Sequence, residues 1–364
     1  MKKNRKMGGW EGRKGGKVAS ASQLLNLSTS QLLILLLLLV GCASAPLIEE
    51  PSSNIIWPKP PDKARIRFLK SISNSEDIVK TKHGGWLKKT WTFLTGESAE
   101  KVLVAPYGVT ADTEGNVYVA DRDTREIFSF NLQTRKSYSF FFETEDLEDY
   151  PIGIVIAEDI YVTYPNSVRA IIFNKNGKVV NEIGKDADLK RPTGVAVNAA
   201  KGLLYVADTL GHEIKAFDLS GKPLFTFGKR GDKDGEFNYP THLFAAKDGT
   251  VYVTDELNFR IQAFTYDGKF LFKIGKGGTV PGTFESPKGV AVDSEGNVYV
   301  ADAMADSVQV FNREGKLLLF FGGSGSGDGQ FDGPAGMFID KDDRIYIADL
   351  YNSRVQVFQY LKGE

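Results

Sequence analysis

One short pattern recurs along most of the chain, and this repetition limits the possible folds more than any other feature. Residues 297–302 show it clearly as Asn-Val-Tyr-Val-Ala-Asp, and four further copies end in an aspartate at the same point. A sixth, degenerate copy covers residues 160–163, where Thr163 stands at the position that we assign to the aspartate. Each copy follows a proline, and these are Pro106, Pro151, Pro192, Pro240, Pro287 and Pro334. Self-similarity of this kind predicts six units of one repeat architecture.

Four strand-like segments can be identified inside a unit, as the fifth unit shows. They are residues 287–293, 297–301, 307–312 and 316–321. The segments are rich in β-branched and aromatic residues and are separated by turns of Gly, Asp and Asn, which is typical of antiparallel hairpins. Four strands in each unit of about 40–50 residues predict an all-β fold, a six-bladed β-propeller of four-stranded antiparallel blades.

The last unit has only three recognisable strands, the third ending near residue 358. Residues 65–72, before the first unit, alternate apolar and polar side chains as a half-buried strand does. Without a fourth strand the last blade would present an unpaired edge. We therefore expect residues 65–72 to supply the outer strand of that blade, so that an N-terminal strand closes the ring.

The first 41 residues do not share the repeat pattern. A basic stretch precedes an apolar run at residues 32–40, which is much shorter than the roughly 20 residues that span a bilayer. Such a segment is typical of a signal peptide. It ends in Leu39-Val40-Gly41-Cys42, which resembles the bacterial lipobox, and Cys42 is the only cysteine of the chain. The resemblance implies a lipoprotein cleaved before Cys42 and lipidated on it; an uncleaved membrane anchor is the alternative.

Residues 42–62 contain five prolines and are predicted to form an extended, semi-rigid tether. The propeller is assigned to residues 63–364. No aspartate follows Cys42 directly, which resembles lipoproteins of the outer membrane. We therefore expect an exported protein, anchored by its lipid to a bacterial membrane and facing the periplasm or the cell surface.

The charge of the chain argues against nucleic acid as a partner. Removing residues 1–41 takes away seven of the 45 Lys and Arg side chains but one of the 46 Asp and Glu side chains, which leaves a formal net charge of −7. Proteins that bind nucleic acid present a basic patch or stripe to the phosphates. A mildly acidic chain without such a stripe is not expected to bind them.

Three motifs resemble the NHL repeat family. They are Pro-x-Gly-Val-Ala-Val-Asp at residues 287–293, Gly-Asn-Val-Tyr-Val-Ala-Asp at 115–121 and Asp-x-x-Asn-x-Arg-Val-Gln-Val-Phe at 349–358. The resemblance covers residues 64–361 and implies a six-bladed propeller. It implies little about activity, because adhesion modules, lyases and lactonases share this fold.

The recurring aspartates suggest a ring of metal ligands at first, but a structural role explains their repetition better. Each ends a strand, where its carboxylate can accept backbone N–H hydrogen bonds from the following loop. In two units Arg260 or Arg354 can pair with it. We expect all five aspartates to hold loops in place, namely Asp121, Asp208, Asp255, Asp302 and Asp349, of which the last four are 47 residues apart.

The NHL resemblance also extends to the peptide α-amidating lyase, which implies a zinc site made by three histidines. After the signal peptide the chain has His83, His212 and His242. His242 occupies a slot that is glycine in the other units, so it can point into the central channel, but we do not expect the three histidines to converge. We predict no catalytic residue, metal or cofactor. A metal-dependent lyase or lactonase-type hydrolase that uses the channel is the alternative.

Residues 84–97 are predicted to form a short amphipathic helix. Trp86 and Trp91 fall near one face, with Lys88 and Lys89 beside them. Such a helix can pack over one end of the propeller as a cap, or it can dock on a membrane interface or a partner. Both alternatives remain open.

Taken together, these features favour a non-enzymatic, membrane-anchored binding scaffold. Its partner is expected to be an envelope protein, a peptide or a glycan. Loops on a rigid scaffold are the usual place for binding residues. The candidate ligand-binding residues at the mouth of the channel are those where the units differ, namely Tyr107, Arg191, Tyr239, His242 and Lys288.

Overall fold

The structure is a computed structural model that describes residues 54–78, 102–143, 148–184 and 187–362. The predicted signal peptide (residues 1–41), the lipidation site Cys42, the first part of the tether and the predicted helix at residues 84–97 lie outside the described residues. Among the residues that the structure describes, no helix is both long enough and apolar enough to span a bilayer.

Twenty-five strands account for nearly all of the described fold, and short 3₁₀ helices at Ala199–Lys201 and Glu256–Asn258 interrupt two loops. The first two strands are β1 (Ile56–Trp57) and β2 (Ile66–Ile72). Blade 1 contains β3 (Pro106–Ala111), β4 (Asn116–Asp121), β5 (Ile127–Asn131) and β6 (Ser137–Phe140). Blade 2 contains β7 (Ile154–Ile156), β8 (Ile160–Tyr164), β9 (Arg169–Phe173) and β10 (Val179–Ile183). Blade 3 contains β11 (Pro192–Asn198), β12 (Leu203–Asp208), β13 (Glu213–Asp218) and β14 (Pro223–Phe227).

The remaining strands follow the same order. Blade 4 contains β15 (Pro240–Ala245), β16 (Val251–Asp255), β17 (Arg260–Phe264) and β18 (Phe270–Ile274). Blade 5 contains β19 (Pro287–Val292), β20 (Val298–Asp302), β21 (Ser307–Phe311) and β22 (Leu317–Gly322). Blade 6 contains β23 (Pro334–Ile339), β24 (Arg344–Asp349) and β25 (Arg354–Tyr360). Neighbouring strands within each blade are antiparallel and follow the chain order, which confirms the predicted six-bladed β-propeller.

Blade 6 is completed by a strand from the other end of the domain. Strand β2 pairs antiparallel with β25, with Ile66 opposite Tyr360 and Ile72 opposite Val355. The prediction that residues 65–72 close the ring is therefore confirmed. Strand β1 adds a fifth strand outside β2, and the ring of Trp57 packs against Phe321 and Phe358. Residues 56–57 fall within the range assigned to the tether, so the folded part of the chain begins before residue 63.

A tyrosine at the centre of the second strand of every blade fills the space between blades. All six are at most 2% exposed, namely Tyr118, Tyr161, Tyr205, Tyr252, Tyr299 and Tyr346. The hydroxyl of Tyr205 in blade 3 donates to the carbonyl of Tyr266 in blade 4, at 2.7 Å. The hydroxyl of a buried tyrosine usually has such a partner. Each blade thus contributes one large side chain to the contact with a neighbour.

The inner strands approach one another most closely where they begin. A Cβ added to Gly336 would lie 2.3 Å from the carbonyl oxygen of Tyr107 in the next blade, and one added to Gly108 would lie 2.2 Å from that of Ile152. Only glycine allows backbones to come this close. The channel is therefore narrowest at this end, which we call the proline face; the opposite end, where hairpin turns join the first and second strands, is the turn face.

Blade 2 corrects one alignment. Thr163 occupies the position of the alanine before the aspartate, and Tyr164 occupies the aspartate position. Tyr164 pairs with Arg169 as Asp302 pairs with Ser307. The Thr163 hydroxyl donates to the carbonyl of Thr193 in blade 3, as the Thr254 hydroxyl donates to that of Lys288 in blade 5. The assignment of threonine to the aspartate position was wrong because a weak repeat permits a shift of one residue.

Candidate functional site

The repeated aspartates bind the loops that lead into their own blades. Asp121 accepts hydrogen bonds from the backbone N–H groups of Val104 and Ala105, and Asp302 accepts them from Glu285 and Ser286. These donors precede the blade, whereas the sequence suggested donors in the following loop. Asp121 also accepts from the backbone N–H of Thr124 after the strand. The carboxylates are fully buried and occupied by these bonds.

Blades 4 and 6 extend this arrangement with an arginine. Arg354 Nε lies 2.8 Å from Asp349 Oδ2, and the same guanidinium donates to the carbonyl oxygens of Gly327 and Gln330. In blade 4, Arg260 makes the equivalent bond of 2.7 Å to Asp255. Each guanidinium thus ties the long loop entering its blade to the carboxylate at the strand end.

At the proline face, two of the predicted channel residues meet on the axis. The rings of Tyr107 and His242 stack with centroids 5.7 Å apart and planes 21° apart. Tyr107 belongs to blade 1 and His242 to blade 4, which face each other across a ring of six. Their rings can therefore touch only inside the channel. We call this pair the plug, because it occupies the narrowest part of the channel.

The polar groups around the plug are largely engaged with one another. His242 Nδ1 lies 3.2 Å from the Thr241 hydroxyl, while Nε2 is inaccessible to solvent and has no hydrogen-bond partner. Burial, reinforced by the nearby charge of Lys288, lowers the pKa of His242 from 6.5 to about 3, so the imidazole is neutral at physiological pH. Lys288 Nζ in turn pairs with Glu256 Oε1 at 2.5 Å.

Of the other predicted mouth residues, Arg191 lies near the plug and Tyr239 does not. Burial raises the pKa of the Tyr107 hydroxyl, with a further contribution from Glu256, and the charge of Arg191 acts in the opposite direction. Arg191 therefore lies within electrostatic reach of the plug. Tyr239 does not join this group, because its ring packs edge-on against His212 at 4.8 Å and its backbone N–H donates to His212 Nδ1.

Beyond the plug, the channel contains a cavity of about 540 Å³ that opens at the turn face. Inner-strand residues from all six blades line it, so it lies on the axis. The ring of side chains nearest the plug is apolar and includes Val109, Ile154, Val195, Leu243 and Met337. None of the predicted mouth residues lines the cavity. Sequence analysis placed the site at one end of the channel, whereas the open cavity lies at the other.

The proline face also carries an arc of exposed apolar side chains that sequence analysis missed. Two residues after the strand-ending aspartate, blades 3 to 6 present Leu210, Leu257, Met304 and Tyr351, which are 46%, 47%, 71% and 69% exposed. Blades 1 and 2 have Asp123 and Asn166 at the equivalent positions. We call these four residues the apolar arc. Aligning the units on their aspartates would have revealed it.

A metal centre is not formed by the residues that the structure describes, where no group of three or more His, Cys, Asp or Glu side chains is placed to hold an ion. His212 packs against Tyr239 in the loop region of blade 3, away from His242 in the plug. His83 lies outside the described ranges.

Comparison with protein families identifies two kinds of match. Residues 189–217 and 331–358 match the NHL repeat, and residues 241–319 match the SMP-30/gluconolactonase/LRE-like region. These segments fall in blades 3, 4, 5 and 6. The Drosophila melanogaster protein brain tumor is 36% identical over 63 residues, which are 17% of this chain and 6% of that protein. The chain therefore spans a small fraction of that relative.

Several solved structures share the fold at low sequence identity. A streptogramin B lyase superposes with a TM-score of 0.53 at 16% identity, covering 71% of this chain and 94% of the lyase. Virginiamycin B lyase from Staphylococcus aureus gives 0.52 at 16% identity, covering 71% and 96%. An auxiliary nutrient binding protein from Bacteroides thetaiotaomicron gives 0.57 at 14% identity, covering 71% and 70%. The chain is therefore a six-bladed β-propeller, in which blades 3 and 6 match the NHL repeat and blades 4 and 5 match the SMP-30/gluconolactonase/LRE-like region.

Proposed function

We propose that this protein is a non-enzymatic binding propeller, anchored to a bacterial membrane through a lipid on Cys42, that recognises an envelope protein with the proline face. The apolar arc is the observation that carries this proposal. Scattered exposed apolar residues are common on protein surfaces. Four at one equivalent position in four adjacent blades form a pattern, and large exposed apolar side chains grouped on one face favour an interaction site.

The geometry of the arc suits a protein partner. Equivalent loops of a propeller lie at similar height, so Leu257, Met304 and Tyr351 project from one side of a rigid disc. Met and Tyr are among the residues enriched at protein interfaces. The Lys288–Glu256 ion pair and the backbone amides of the loops that carry the arc are polar groups of the kind found at the rim of an interface. A protein or peptide with an apolar surface satisfies this pattern better than a glycan does.

The plug supports binding over catalysis at this face. The imidazole of His242 is neutral, stacked and partly hydrogen-bonded within the protein, and the ion-paired Lys288 is engaged by Glu256. A general acid or base needs access to the proton that it transfers. The inaccessible Nε2 of His242 lacks that access.

Photo-crosslinking in the native envelope tests the proposal. A photoreactive amino acid at Tyr351 should yield one discrete protein adduct, and the same group at Lys341 on the turn face should not. Met304→Glu should abolish the Tyr351 adduct, whereas Asn166→Glu, which adds the same charge at the equivalent position of blade 2, should leave it intact. Adducts to lipid alone, or equal adducts from both faces, would contradict the proposal.

Anchoring is tested separately. Cys42→Ser should move the protein from the membrane fraction to the soluble fraction if lipid on Cys42 is the anchor. Retention of the variant in the membrane would rule out Cys42 as the sole anchor, without affecting the crosslinking result.

The match of residues 241–319 to the SMP-30/gluconolactonase/LRE-like region favours one second candidate, a metal-dependent lyase or lactonase-type hydrolase that uses the channel. Elemental analysis of the purified protein discriminates the two. Stoichiometric zinc or calcium, together with a hydrolytic or lyase activity lost in His242→Ala, would support the enzyme. A stable, metal-free propeller without such activity would support the binding protein.

A further inference from the structure

We infer that the axial cavity is a second binding site, which takes a saccharide without acidic groups and admits it from the turn face. The plug closes the other end of the cavity and separates it from the apolar arc on the proline face. The volume of about 540 Å³ falls within the roughly 300–1,000 Å³ of small-molecule pockets. Backbone polar groups, an aromatic pair and the charges at the opening together indicate this class of ligand.

The free edges of the inner strands make the wall of the cavity polar. The first strand of each blade is paired on one side only, and its other edge faces the channel. The backbone N–H groups of Asp112 and Ala246 donate to the second strands of their own blades. Because successive residues of an antiparallel strand alternate between its two edges, Ala111 and Ala245 direct their N–H and C=O groups to the channel. Equivalent bonds in blades 2, 5 and 6 orient three further residues in the same way, namely Ile156, Val292 and Ile339.

A ligand that displaces water from this wall has to satisfy donors and acceptors at the same time. Each of these residues offers one N–H donor and one C=O acceptor. Removing such a group from water without a new partner costs free energy, so an apolar chain would be penalised here. A hydroxyl group both donates and accepts hydrogen bonds. A compact molecule with several hydroxyl groups therefore matches the strand edges.

One side of the cavity is aromatic. The rings of Phe244 in blade 4 and Phe338 in blade 6 have centroids 6.3 Å apart, and both line the cavity and are partly exposed. Blade 5 stands between these two blades, so the rings can meet only across its inner edge, inside the channel. Blade 5 has Ala291 at the equivalent position, 47 residues from each phenylalanine, and its small side chain leaves room for the rings. We call Phe244 and Phe338 the aromatic wall.

The aromatic wall favours a cyclic ligand with an apolar face over a linear polyol. The face of a phenyl ring carries partial negative charge, which attracts the weakly positive hydrogens of C–H groups. A sugar ring presents C–H groups on its faces and hydroxyl groups around its rim. One face can pack on the wall while the hydroxyl groups reach the strand edges of blades 1 to 3. These blades have no aromatic residue at the equivalent position, where they carry Thr110, Val155 and Ala196.

The charged groups at the opening disfavour an acidic ligand. Seven carboxylates and four cationic side chains lie on the cavity lining near the turn face. An anionic sugar would have to compete with these carboxylates for the cations, whereas the hydroxyl groups of an uncharged sugar can hydrogen-bond to both. Three of the cations are already paired there, Arg313 with Asp248 at 2.5 Å, Lys341 with Asp342 at 2.7 Å and Arg344 with Asp340 at 3.9 Å.

Saturation-transfer difference NMR measures this binding directly. The purified Cys42→Ser protein is mixed with the mono- and trisaccharides of glucose, galactose and mannose, and separately with the matching uronic acids. At least one neutral saccharide should receive saturation from the protein, and its uronic acid should bind more weakly. The mono- and trisaccharides separate a free sugar from the end of a glycan chain. Absence of transfer to every neutral saccharide, or equal affinity for a bound sugar and its uronic acid, would overturn the inference.

Two variants of the aromatic wall locate the site. Phe244→Leu and Phe338→Leu each remove one ring but keep a large apolar side chain, and each should weaken the affinity for the bound saccharide by about fivefold. The control Phe272→Leu makes the same change in the outer strand of blade 4, outside the cavity, and should change the affinity by less than about twofold.

Thermal unfolding establishes that each variant is folded before its affinity is compared. Undiminished affinity in a folded variant of the wall would place the saccharide elsewhere and overturn the inference. If neither variant folds, NOEs between the saccharide and isotope-labelled phenylalanine rings of the Cys42→Ser protein decide the question, and their absence would overturn the inference. Met304→Glu in the apolar arc should leave saccharide binding unchanged, so failure here and failure of the proposed partner binding are distinguishable.

Discussion

The rings of Tyr107 and His242 stack across the channel axis, although 135 positions separate them in the sequence and they belong to facing blades. Five blades have glycine at the position of His242. A Cβ at four of those glycines would lie less than 2.5 Å from a carbonyl oxygen of the next blade. Among the six equivalent positions, only that of His242 carries a side chain in place of a glycine. Its imidazole closes the channel.

The desolvated imidazole of His242 predicts a pH dependence of stability. In the unfolded chain His242 gains a proton near pH 6.5, but in the folded protein it stays neutral until about pH 3. Between these values the unfolded state binds more protons, so the free energy of unfolding falls as pH falls, by up to about 1.4 kcal/mol per pH unit. His242→Gln removes this proton-binding site and should flatten the curve in this range.

Chemical denaturation of both proteins between pH 7 and pH 4 measures this difference. Since the carboxylates titrate in both proteins, only the difference between the two curves reports His242. Parallel curves would mean that the imidazole is protonated as readily in the folded as in the unfolded state.

The close approach of the inner strands predicts that one methyl group will disturb the ring. In Gly336→Ala the new Cβ would meet the Tyr107 carbonyl oxygen at 2.3 Å, so the backbone of blade 6 or blade 1 must move. We expect a loss of about 1–3 kcal/mol in the free energy of unfolding. Gly184→Ala is the control, since its Cβ would meet only the mobile end of Glu182 at 3.0 Å. Equal stability of the two variants would disprove the close contact.

Asp349 in blade 6 should contribute more to the free energy of unfolding than Asp302 in blade 5, because Arg354 pairs with Asp349. Asp349→Ala leaves the guanidinium of Arg354, which is 7% exposed, without its carboxylate. Breaking a buried ion pair in this way costs about 3–5 kcal/mol. Asp302→Ala removes an equally buried carboxylate that accepts hydrogen bonds from the backbone N–H groups of Glu285 and Ser286, and should cost less. Urea unfolding of both variants compares them; a larger loss for Asp302→Ala would refute the role of Arg354.

The position of the closing strand β2 predicts that a substitution in it will strongly destabilise the protein, although β2 precedes the first repeat unit. Phe68 is fully buried against Phe358, with ring centroids 5.5 Å apart. Phe68→Ala should therefore lower the free energy of unfolding by about 3–5 kcal/mol. Phe320→Ala, on the outer strand of blade 5 where the ring is 54% exposed, should change it by less than about 0.5 kcal/mol. Similar losses would show that β2 does not anchor the last blade in solution.

Much of the fold followed from the sequence because it depends on local periodicity. Strand alternation, turn residues and a repeated aspartate predicted the number of blades and the strands of each. The unpaired third strand of the last unit required a partner, and the alternation of residues 65–72 supplied one. The weakly repeated blade 2 was misaligned by one residue at Thr163, where the local signal was too degenerate to define the register.

The site depended on contacts that no local pattern records. Sequence analysis could place His242 at the start of an inner strand, but only the closed ring brings it onto Tyr107 and seals that end of the channel. The same closure sets Ala111 opposite Ala245 and opens the cavity toward the turn face. The arrangement of the blades around the axis decides which equivalent residues are adjacent and which face each other across the channel. Their separation along the chain does not. The sequence by itself therefore determined the blades, and the tertiary structure decided which face is closed and which is open.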